Sequence, residues 1–270
     1  MFYRILKDLF INILQKKINK SNSQIVILND WIGLNILFDN YYEKEEIVLL
    51  KNHFNSNVKK YLFIDVGANI GNHTLFFKTY FKGIKAFEPQ KKIFKILKIN
   101  TEDYSDIEVF NYGLDLRSHD SKFYIPYSNS GMANESTKDL SGYYEKVNFK
   151  VYDENHNDKI SYIKIDVEGN EEKVLLSMRK SIIKNLPIIS FELNSKAISR
   201  KKIIEIFKSF GYEKFYVSEK YFFPMNLRFI KRFFGKPKKL KLISQSNLLS
   251  ENNFSLIHTF SEKSPFKLNV

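Results

Sequence analysis

The chain has 270 residues, carries a formal net charge of +13 and is 43 % hydrophobic. It contains no cysteine, which excludes disulfides, thiolate metal sites and cysteine nucleophiles, and its length suffices for one large α/β domain with a full core. No apolar run approaches the roughly 20 residues of a membrane-spanning helix, and Lys7 and Asp8 interrupt the apolar N-terminal stretch, so we expect a cytoplasmic protein.

The first 54 residues are predicted to form an extension that precedes the main domain. Residues 2–18 place apolar side chains at helical spacing, which indicates an amphipathic helix that either docks on the core or lies on a membrane. The β-forming residues of 24–38 favour a short hairpin, and 43–54 favour a helix with acidic residues near its start.

From residue 55 to 270, short apolar runs alternate with helical patterns, which is typical of a doubly wound, mostly parallel sheet. We predict seven strands, over 61–65, 84–88, 107–112, 161–166, 187–192, 213–218 and 254–260. We predict helices over 71–81, 90–100, 170–184 and 197–210, the last of them ended by Gly211. Two stretches interrupt the alternation, a polar insert at 113–160 and a basic, aromatic insert at 219–253. Long inserts at this edge of a sheet commonly serve as lids or binding loops.

Most of the positive charge lies in two flanking segments. Residues 1–24 carry five basic residues and one acid, a net of +4, and residues 219–241 carry eight basic residues and one acid, a net of +7. Such segments favour contact with an anionic surface, and a peripheral position at the inner face of a membrane is one expectation. The alternative is a solvated surface that serves solubility alone.

Four of the predicted strands end in a carboxylate, at Asp65, Glu88, Asp166 and Glu192. The carboxyl ends of parallel strands meet at one edge of a sheet, which is where ligands bind in such folds. A row of carboxylates repels itself unless a cation lies across it, so the row predicts a positively charged ligand.

The turn after the first core strand indicates which ligand. Gly67 and Gly71 would let a ligand approach the backbone closely, but the three-glycine dinucleotide pattern and the Gly-Lys-Ser/Thr of a P-loop are missing. Asp65 would attract a ligand with an ammonium and a sulfonium, and Glu88 lies near the offset at which an acid binds ribose hydroxyls. Together these features predict S-adenosylmethionine and methyl transfer.

Three blocks resemble the FkbM-family methyltransferases, a branch of the class I, Rossmann-like enzymes that use S-adenosylmethionine. They are Ile64-Asp-Val-Gly-Ala-Asn-Ile-Gly-Asn-His-Thr74, Phe87-Glu-Pro89, and Ile163-Lys-Ile-Asp-Val-Glu-Gly-Asn-Glu171 followed by Pro187-Ile-Ile-Ser-Phe-Glu192. The resemblance covers about 43–217, and the Asp-Val-Glu-Gly block makes it specific.

The resemblance implies a role for each matching residue. Cofactor contacts are expected from Asp65, Gly67, Asn69 and Gly71, the ribose contact from Glu88, and adenine contacts near Asn111 and Gly113. Asp166, Glu168 and His73 are expected to face the acceptor as catalytic residues, and Glu192 is a weaker candidate for substrate binding. The alternative for Asp166 and Glu168 is that they cap the following helix.

The resemblance also favours O-methylation of a sugar, glycan or related natural product. Asp166, Glu168 and Glu192 are conceivable ligands of a divalent cation, but their spacing matches no recognised metal loop, and we predict no metal. The alternatives are 2′-O-methylation of RNA, with the basic segment binding its backbone, and a binding module that kept the fold without activity. Small-molecule or glycan acceptors are the expected partners, and nucleic acid is less favoured.

Overall fold

A computed structural model of the chain describes residues 24–28, 31–126, 142–193, 197–218, 239–250 and 256–270. The amphipathic helix predicted over 2–18 lies outside these residues, as does most of the basic segment 219–241. Their predicted contact with an anionic surface therefore stays a prediction.

Strands account for two sheets within the described residues. In chain order the strands are β1 (Leu62–Val66), β2 (Gly83–Phe87), β3 (Ile107–Phe110), β4 (Gly113–Leu114), β5 (His119–Pro126), β6 (Gly142–Lys150), β7 (Ile160–Ile165), β8 (Ile188–Phe191), β9 (Lys214–Ser218), β10 (Leu240–Ile243) and β11 (Ile257–Phe260). The large sheet has the order β10-β9-β11-β8-β7-β1-β2-β3.

The large sheet is mostly parallel, as predicted, but it has eight strands and not seven. The parallel part of the sheet consists of β3, β2, β1, β7 and β8, in that spatial order. In contrast, β11 is antiparallel to both β8 and β9. All seven predicted strands are present. The eighth, β10, is an edge strand and pairs with β9. It lies in the stretch that we predicted to be an insert, because four residues of edge strand carry little signal within a basic segment.

Helices join and cover the strands. In chain order they are α1 (Trp31–Asp39), α2 (Lys44–His53), α3 (Asn72–Phe77), α4 (Lys91–Thr101), α5 (Tyr152–Asn155), α6 (Glu171–Ser177), α7 (Arg179–Asn185), α8 (Ala197–Ser209) and α9 (Gln245–Ser250). The helix predicted over 170–184 is in fact two helices that meet at Met178. Gly211, with a φ of 85°, follows α8 as predicted.

The hairpin predicted over 24–38 is wrong, because α1 occupies most of that range. Ile36 of α1 packs against Ile70 and Ile93, which belong to the first glycine turn and to α4. Burial on these neighbours decides the conformation, since the intrinsic preference of β-branched residues against helix is only a few tenths of a kcal/mol. No helix in the described part of the chain is long and apolar enough to cross a membrane.

The predicted polar insert 113–160 contains the second sheet, in the order β4-β6-β5. Its strands β5 and β6 form a long antiparallel pair, with Phe123, Ile125, Val147 and Phe149 buried together on one face.

Helices cover both faces of the large sheet, which gives the three-layer arrangement expected of a doubly wound fold. Val174, Ile182 and Phe207 of α6, α7 and α8 pack on one face, and Leu50 and Phe77 of α2 and α3 pack on the other. The carboxyl ends of β1, β2, β7 and β8 therefore lie at one edge between these layers, where the connecting turns can surround a ligand.

Candidate active site

The turn after β1 requires glycine for two reasons. Gly67 has a φ of 77°, and a Cβ at this position would lie 1.9 Å from the carbonyl oxygen of Asp166. The backbone at the end of β1 thus contacts the backbone at the end of β7, and the turn that follows β1 is open to a ligand. Gly71, with a φ of 97°, precedes α3.

Glu88 lies directly after β2 with its carboxylate held by the backbone. Its two oxygens accept the N–H of Asn69 at 3.1 Å and that of Gln90 at 2.9 Å. Burial raises the pKa of Glu88 to about 7, although these hydrogen bonds favour the ionised form. Asn111 does not line the cleft; its amide donates to the carbonyls of Glu88 and Pro89, so it holds this turn and does not itself offer a surface to adenine.

The structure corrects the electrostatic argument made from the row of carboxylates. The ammonium of Lys164 lies 3.1 Å from Asp166 and 3.9 Å from Asp65, so the protein supplies a cation of its own. Asp65 is fully buried and also accepts a hydrogen bond from the hydroxyl of Thr74 at 2.7 Å. It lies below the cleft and does not line it. The predicted need for a cationic ligand therefore does not follow from Asp65 and Asp166.

Three carboxyl groups of the acceptor side form a cluster. Asp166, Glu168 and Glu192 each place one oxygen within 4.8 Å of the others, a spacing that a divalent cation could bridge. Burial and the neighbouring acids raise the pKa of Glu168 to about 7 and that of Glu192 to about 8. Burial opposes ionisation of Asp166 as well, but the adjacent Lys164 outweighs it and lowers the pKa of that carboxyl. Asp166 is therefore the ionised member at neutral pH.

The cap position of the helix that follows is Asn170, and not Asp166 or Glu168. The carboxylate of Glu171, the first residue of α6, accepts the N–H of Gly169 at 3.0 Å in the turn before the helix. Glu168 and Gly169 both have positive φ, of 53° and 104°, which turns the chain sharply between β7 and α6. A non-glycine residue in this conformation is costly and often occurs at functional sites.

His73 lies in α3 and lines the same cleft as Asp166. It is only 6 % exposed, and its Nε2 atom has no hydrogen-bond partner in the described structure. Burial, followed by the positive charge of Lys164, lowers the pKa of His73 to about 3. The His73 ring is therefore uncharged at neutral pH, and its predicted role as a base stays a prediction.

The insert covers the cleft from the side of β2 and β4. Phe123 and Phe149 of the three-stranded sheet line the cleft together with Gly113 and Leu114 of β4. A Cβ at Gly113 would lie 2.5 Å from the ring of Phe149, so glycine is required for the sheet to close on this wall. The cleft measures about 930 Å³ when the space open at its mouth is included.

Most predicted site residues converge on this cleft. Those that line it are Gly67, Asn69, His73, Glu88, Gly113, Asp166 and Glu168. Asp65 and Gly71 support the turn beneath it, and Glu192 reaches it through Asp166, with which it shares a hydrogen bond.

The site residues that sequence reasoning missed include Tyr42, Asn72 and Lys164. Lys164 carried a signal, because a lysine two positions before a strand-end acid points to the same face of the strand. Asn72 and Tyr42 carried none, because their contact depends on the docking of the N-terminal segment.

The sequence matches the model of the methyltransferase FkbM domain over residues 65–214, which is more than half of the chain. The chain belongs to the FkbM methyltransferase family. The match contains the glycine turn, Glu88 and the Asp166 turn, and it excludes the N-terminal segment that brings Tyr42 to the cleft. No curated protein matches the sequence.

Solved structures are similar to the chain at low sequence identity and at TM-scores below 0.5. FkbM methyltransferase from Methylobacillus flagellatus KT is similar at 14 % identity and a TM-score of 0.45, covering 92 % of this chain and 58 % of that one, so the chain spans less than two thirds of that relative. A protein from Streptococcus mutans in complex with S-adenosylhomocysteine has 11 % identity, a TM-score of 0.44, and coverage of 81 % and 96 %. An rRNA methylase from Streptococcus thermophilus has 11 % identity, a TM-score of 0.42, and coverage of 80 % and 93 %.

Proposed function

We propose that the protein transfers a methyl group from S-adenosylmethionine to a hydroxyl of a sugar, glycan or related natural product. Membership of the FkbM methyltransferase family supports methyl transfer. The observation that carries the choice of a hydroxyl is Asp166, an ionised carboxylate at the cleft floor beside two carboxyls of raised pKa. A hydroxyl is too weakly acidic to lose its proton unaided, and a carboxylate at this position can accept it.

The residues of the cleft fit the proposed cofactor. Glu88 keeps about two of its four lone-pair positions free after accepting from Asn69 and Gln90, which suits a ribose diol. The backbone of Gly67 and Asn69 is accessible because no side chain could occupy the turn at Gly67. Phe123 and Phe149 supply an apolar wall for a flat base.

Two of the chain's own groups, Asp166 and Lys164, would take up the acceptor proton and balance the charge beside it in the proposed reaction. S-Adenosylmethionine, when bound, supplies an electrophilic methyl group on a sulfonium sulfur. With the donor held by Glu88 and the glycine turn, its methyl group would move from sulfur, which would keep the electron pair of the broken bond, to the acceptor oxygen. Asp166 would take the proton that this oxygen loses. Lys164 remains beside Asp166 and balances its charge before the proton arrives. Most of the acceleration would come from holding the reacting atoms in line.

The experiment that tests this proposal is a transfer assay with methyl-radiolabelled S-adenosylmethionine. We expect label in one or more members of a panel of methyl glycosides, and no label in total RNA. Incorporation into RNA and not into the glycosides would replace the proposal by the ribose alternative. A protein that binds S-adenosylhomocysteine in calorimetry but labels neither class would contradict the proposed acceptor, and one that fails to bind it would contradict the proposed cofactor.

The Asp166→Asn variant tests the proposed base. Because the amide cannot take the acceptor proton, we expect turnover to fall by about 100-fold or more, within the range that general bases contribute. S-Adenosylhomocysteine binding should change little, and the matched control Asp153→Asn should leave turnover intact, because Asp153 caps α7 away from the cleft. Full activity of Asp166→Asn would remove this role.

A further inference from the structure

Asn72 is a buried side chain that joins the N-terminal segment to the cleft. It begins α3 and is only 5 % exposed. Its Oδ1 accepts the N–H of Tyr42 at 2.8 Å, and its Nδ2 donates to the carbonyl of Tyr42 at 3.0 Å. This reciprocal pair determines which end of the amide is which, because only the oxygen can accept from an N–H.

The same amide sets the tautomer of His73. Once Oδ1 is assigned to Tyr42, the second hydrogen of Nδ2 faces His73 Nδ1, 3.5 Å away. An amide N–H can only donate, so Nδ1 must be the acceptor and the ring proton must reside on Nε2. Nε2–H is therefore a buried donor without a partner among the described residues, in a residue that lines the cleft. A buried donor without a partner is costly, which points to a ligand atom as its acceptor.

Tyr42 is held in place by the backbone on both sides. Asn40 and Glu43 have positive φ, of 68° and 53°, although neither is glycine. Asn40 directly follows α1 and Glu43 is the cap residue of α2, and Asn72 binds the backbone of Tyr42 between them. The ring of Tyr42 lines the cleft, and its pKa is raised, first by burial and then by acids that include Asp166 and Glu192. Its hydroxyl thus stays protonated and can donate.

We propose that Tyr42 and His73 are two neutral hydrogen-bond donors that bind oxygen atoms of the acceptor, and that Asn72 is the positioning residue that holds both. This inference rests on the proposed function, whose acceptor-side acids Asp166 and Glu192 act on the same region of the cleft. An acceptor with several adjacent oxygens, such as a sugar, satisfies donors and acceptors at once. A single hydroxyl on an apolar molecule would leave at least one donor unpaired.

The tautomer can be measured without cofactor or acceptor. The measurement is the ¹⁵N spectrum of histidine-labelled protein, in which the signals that disappear in His73→Gln are assigned to His73. We expect these signals to report the neutral Nε2–H tautomer and not to titrate between pH 5 and pH 8. In Asn72→Asp, a carboxylate replaces the donor beside Nδ1, so we expect the Nδ1–H or the charged form. Asn72→Ser, which also lacks the amide donor, serves if Asn72→Asp does not fold. A wild-type His73 that carries its proton on Nδ1, or that titrates near pH 6.5, would overturn the inference.

The acceptor role is tested by kinetics with the methyl glycoside that the wild type methylates, or with RNA if label enters RNA. We expect Tyr42→Phe and His73→Gln each to raise the acceptor KM by about fivefold, the effect of one lost hydrogen bond. The Kd for S-adenosylhomocysteine should stay within about twofold, because both side chains face the acceptor and not the ribose. Tyr41→Phe is the matched control, because the Tyr41 ring packs edge-on against Phe76 at 5.1 Å and does not line the cleft.

The two proposals can fail separately. If Tyr42→Phe behaves like Tyr41→Phe while the wild type methylates a glycoside, the donor pair is wrong and the proposed function stands. If the wild type methylates neither glycosides nor RNA, the proposed function fails, and the histidine spectrum alone then decides whether Asn72 holds His73 as inferred.

Discussion

A single carboxyl group, that of Glu88, connects the sequence motif to a measurable property of the site. It is 4 % exposed and titrates near neutrality, because burial raises its pKa to about 7. If ribose hydroxyls donate to its ionised form, cofactor affinity must depend on pH in the same range.

We therefore expect S-adenosylhomocysteine to bind about tenfold more tightly at pH 8 than at pH 6, since Glu88 changes from mostly protonated to mostly ionised between them. Glu88→Gln should weaken binding at pH 8 and remove most of this dependence, as calorimetry at several pH values would reveal. Glu102→Gln, an exposed acid at the end of α4, is the control and should keep the dependence. A wild-type affinity that does not change with pH would contradict the ribose assignment.

Lys164 is the cation beside the strand-end acids that the sequence analysis did not anticipate. Glu88 and Asp166 line one cleft, whereas Asp65 lies beneath it, and the cation that balances Asp65 and Asp166 comes from the same chain. In register across the sheet, Asp65 is followed by Lys164, Ser190 and His258, all of them buried. Such a polar row is invisible along the sequence because each member is a single residue in a different apolar strand.

At the scale of elements, the insert sheet is the part whose placement most affects the site. Its β6 docks on the start of α4, where Glu145 accepts the N–H of Lys91 at 2.6 Å and the ammonium of Lys92 lies over the ring of Tyr143. The first N–H groups of a helix have no partner within the helix, so Glu145 acts as a cap from a distant strand.

Glu145→Ala should lower the free energy of unfolding by about 1 kcal/mol, the usual cost of a lost helix cap. It should also weaken S-adenosylhomocysteine binding, because Phe149 on the same strand lines the cleft. Denaturant unfolding and calorimetry measure the two effects, with Glu154→Ala, an exposed acid of α5, as the control. A loss of stability without any loss of affinity would mean that the insert sheet does not shape the cofactor site.

The first helix of the described structure illustrates what an element needs from its neighbours. A short hairpin was predicted over 24–38, yet most of that range belongs to α1, which packs on α4 and the glycine turn. The segment before α1 is held by Asn100, whose side chain bonds the N–H and the carbonyl of Ile25 and also the carbonyl of Ile70. The N-terminal segment is thus part of the cofactor-site architecture, although it precedes the family match.

Over the whole molecule, buried ionisable groups make opposing contributions to stability as pH changes. Glu88, Glu168 and Glu192 have raised pKa values, of about 7, 7 and 8, so the folded state binds more protons and their contribution to stability is lost as pH rises through that range. His73 and His258 have pKa values lowered to about 3 by burial, so their contribution is lost as pH falls below the usual value of 6.5.

We therefore expect maximal stability between about pH 4.5 and pH 6.5, where the two contributions change in opposite directions and largely offset each other. From pH 6.5 to pH 9 the free energy of unfolding of the cofactor-free protein should fall on the order of 2 kcal/mol, with Glu168 contributing least because it is exposed. Glu192→Gln should reduce this fall, which urea unfolding at a series of pH values would measure. A stability that rises steadily from pH 6.5 to pH 9 would contradict the assigned burial of these acids.

The sequence by itself determined the sheet, the glycine turn, the strand-end acids and the family. These depend on periods of two and 3.6 residues and on short contiguous motifs, which are local properties of the chain. The tertiary structure alone decided that 31–39 is helical, that Lys164 neutralises Asp65 and Asp166, and that Asn72 joins Tyr42 to His73. Each of these depends on at least one contact between residues far apart along the chain, such as Lys164 with Asp65 or Asn72 with Tyr42, and such a contact leaves no pattern in one sequence.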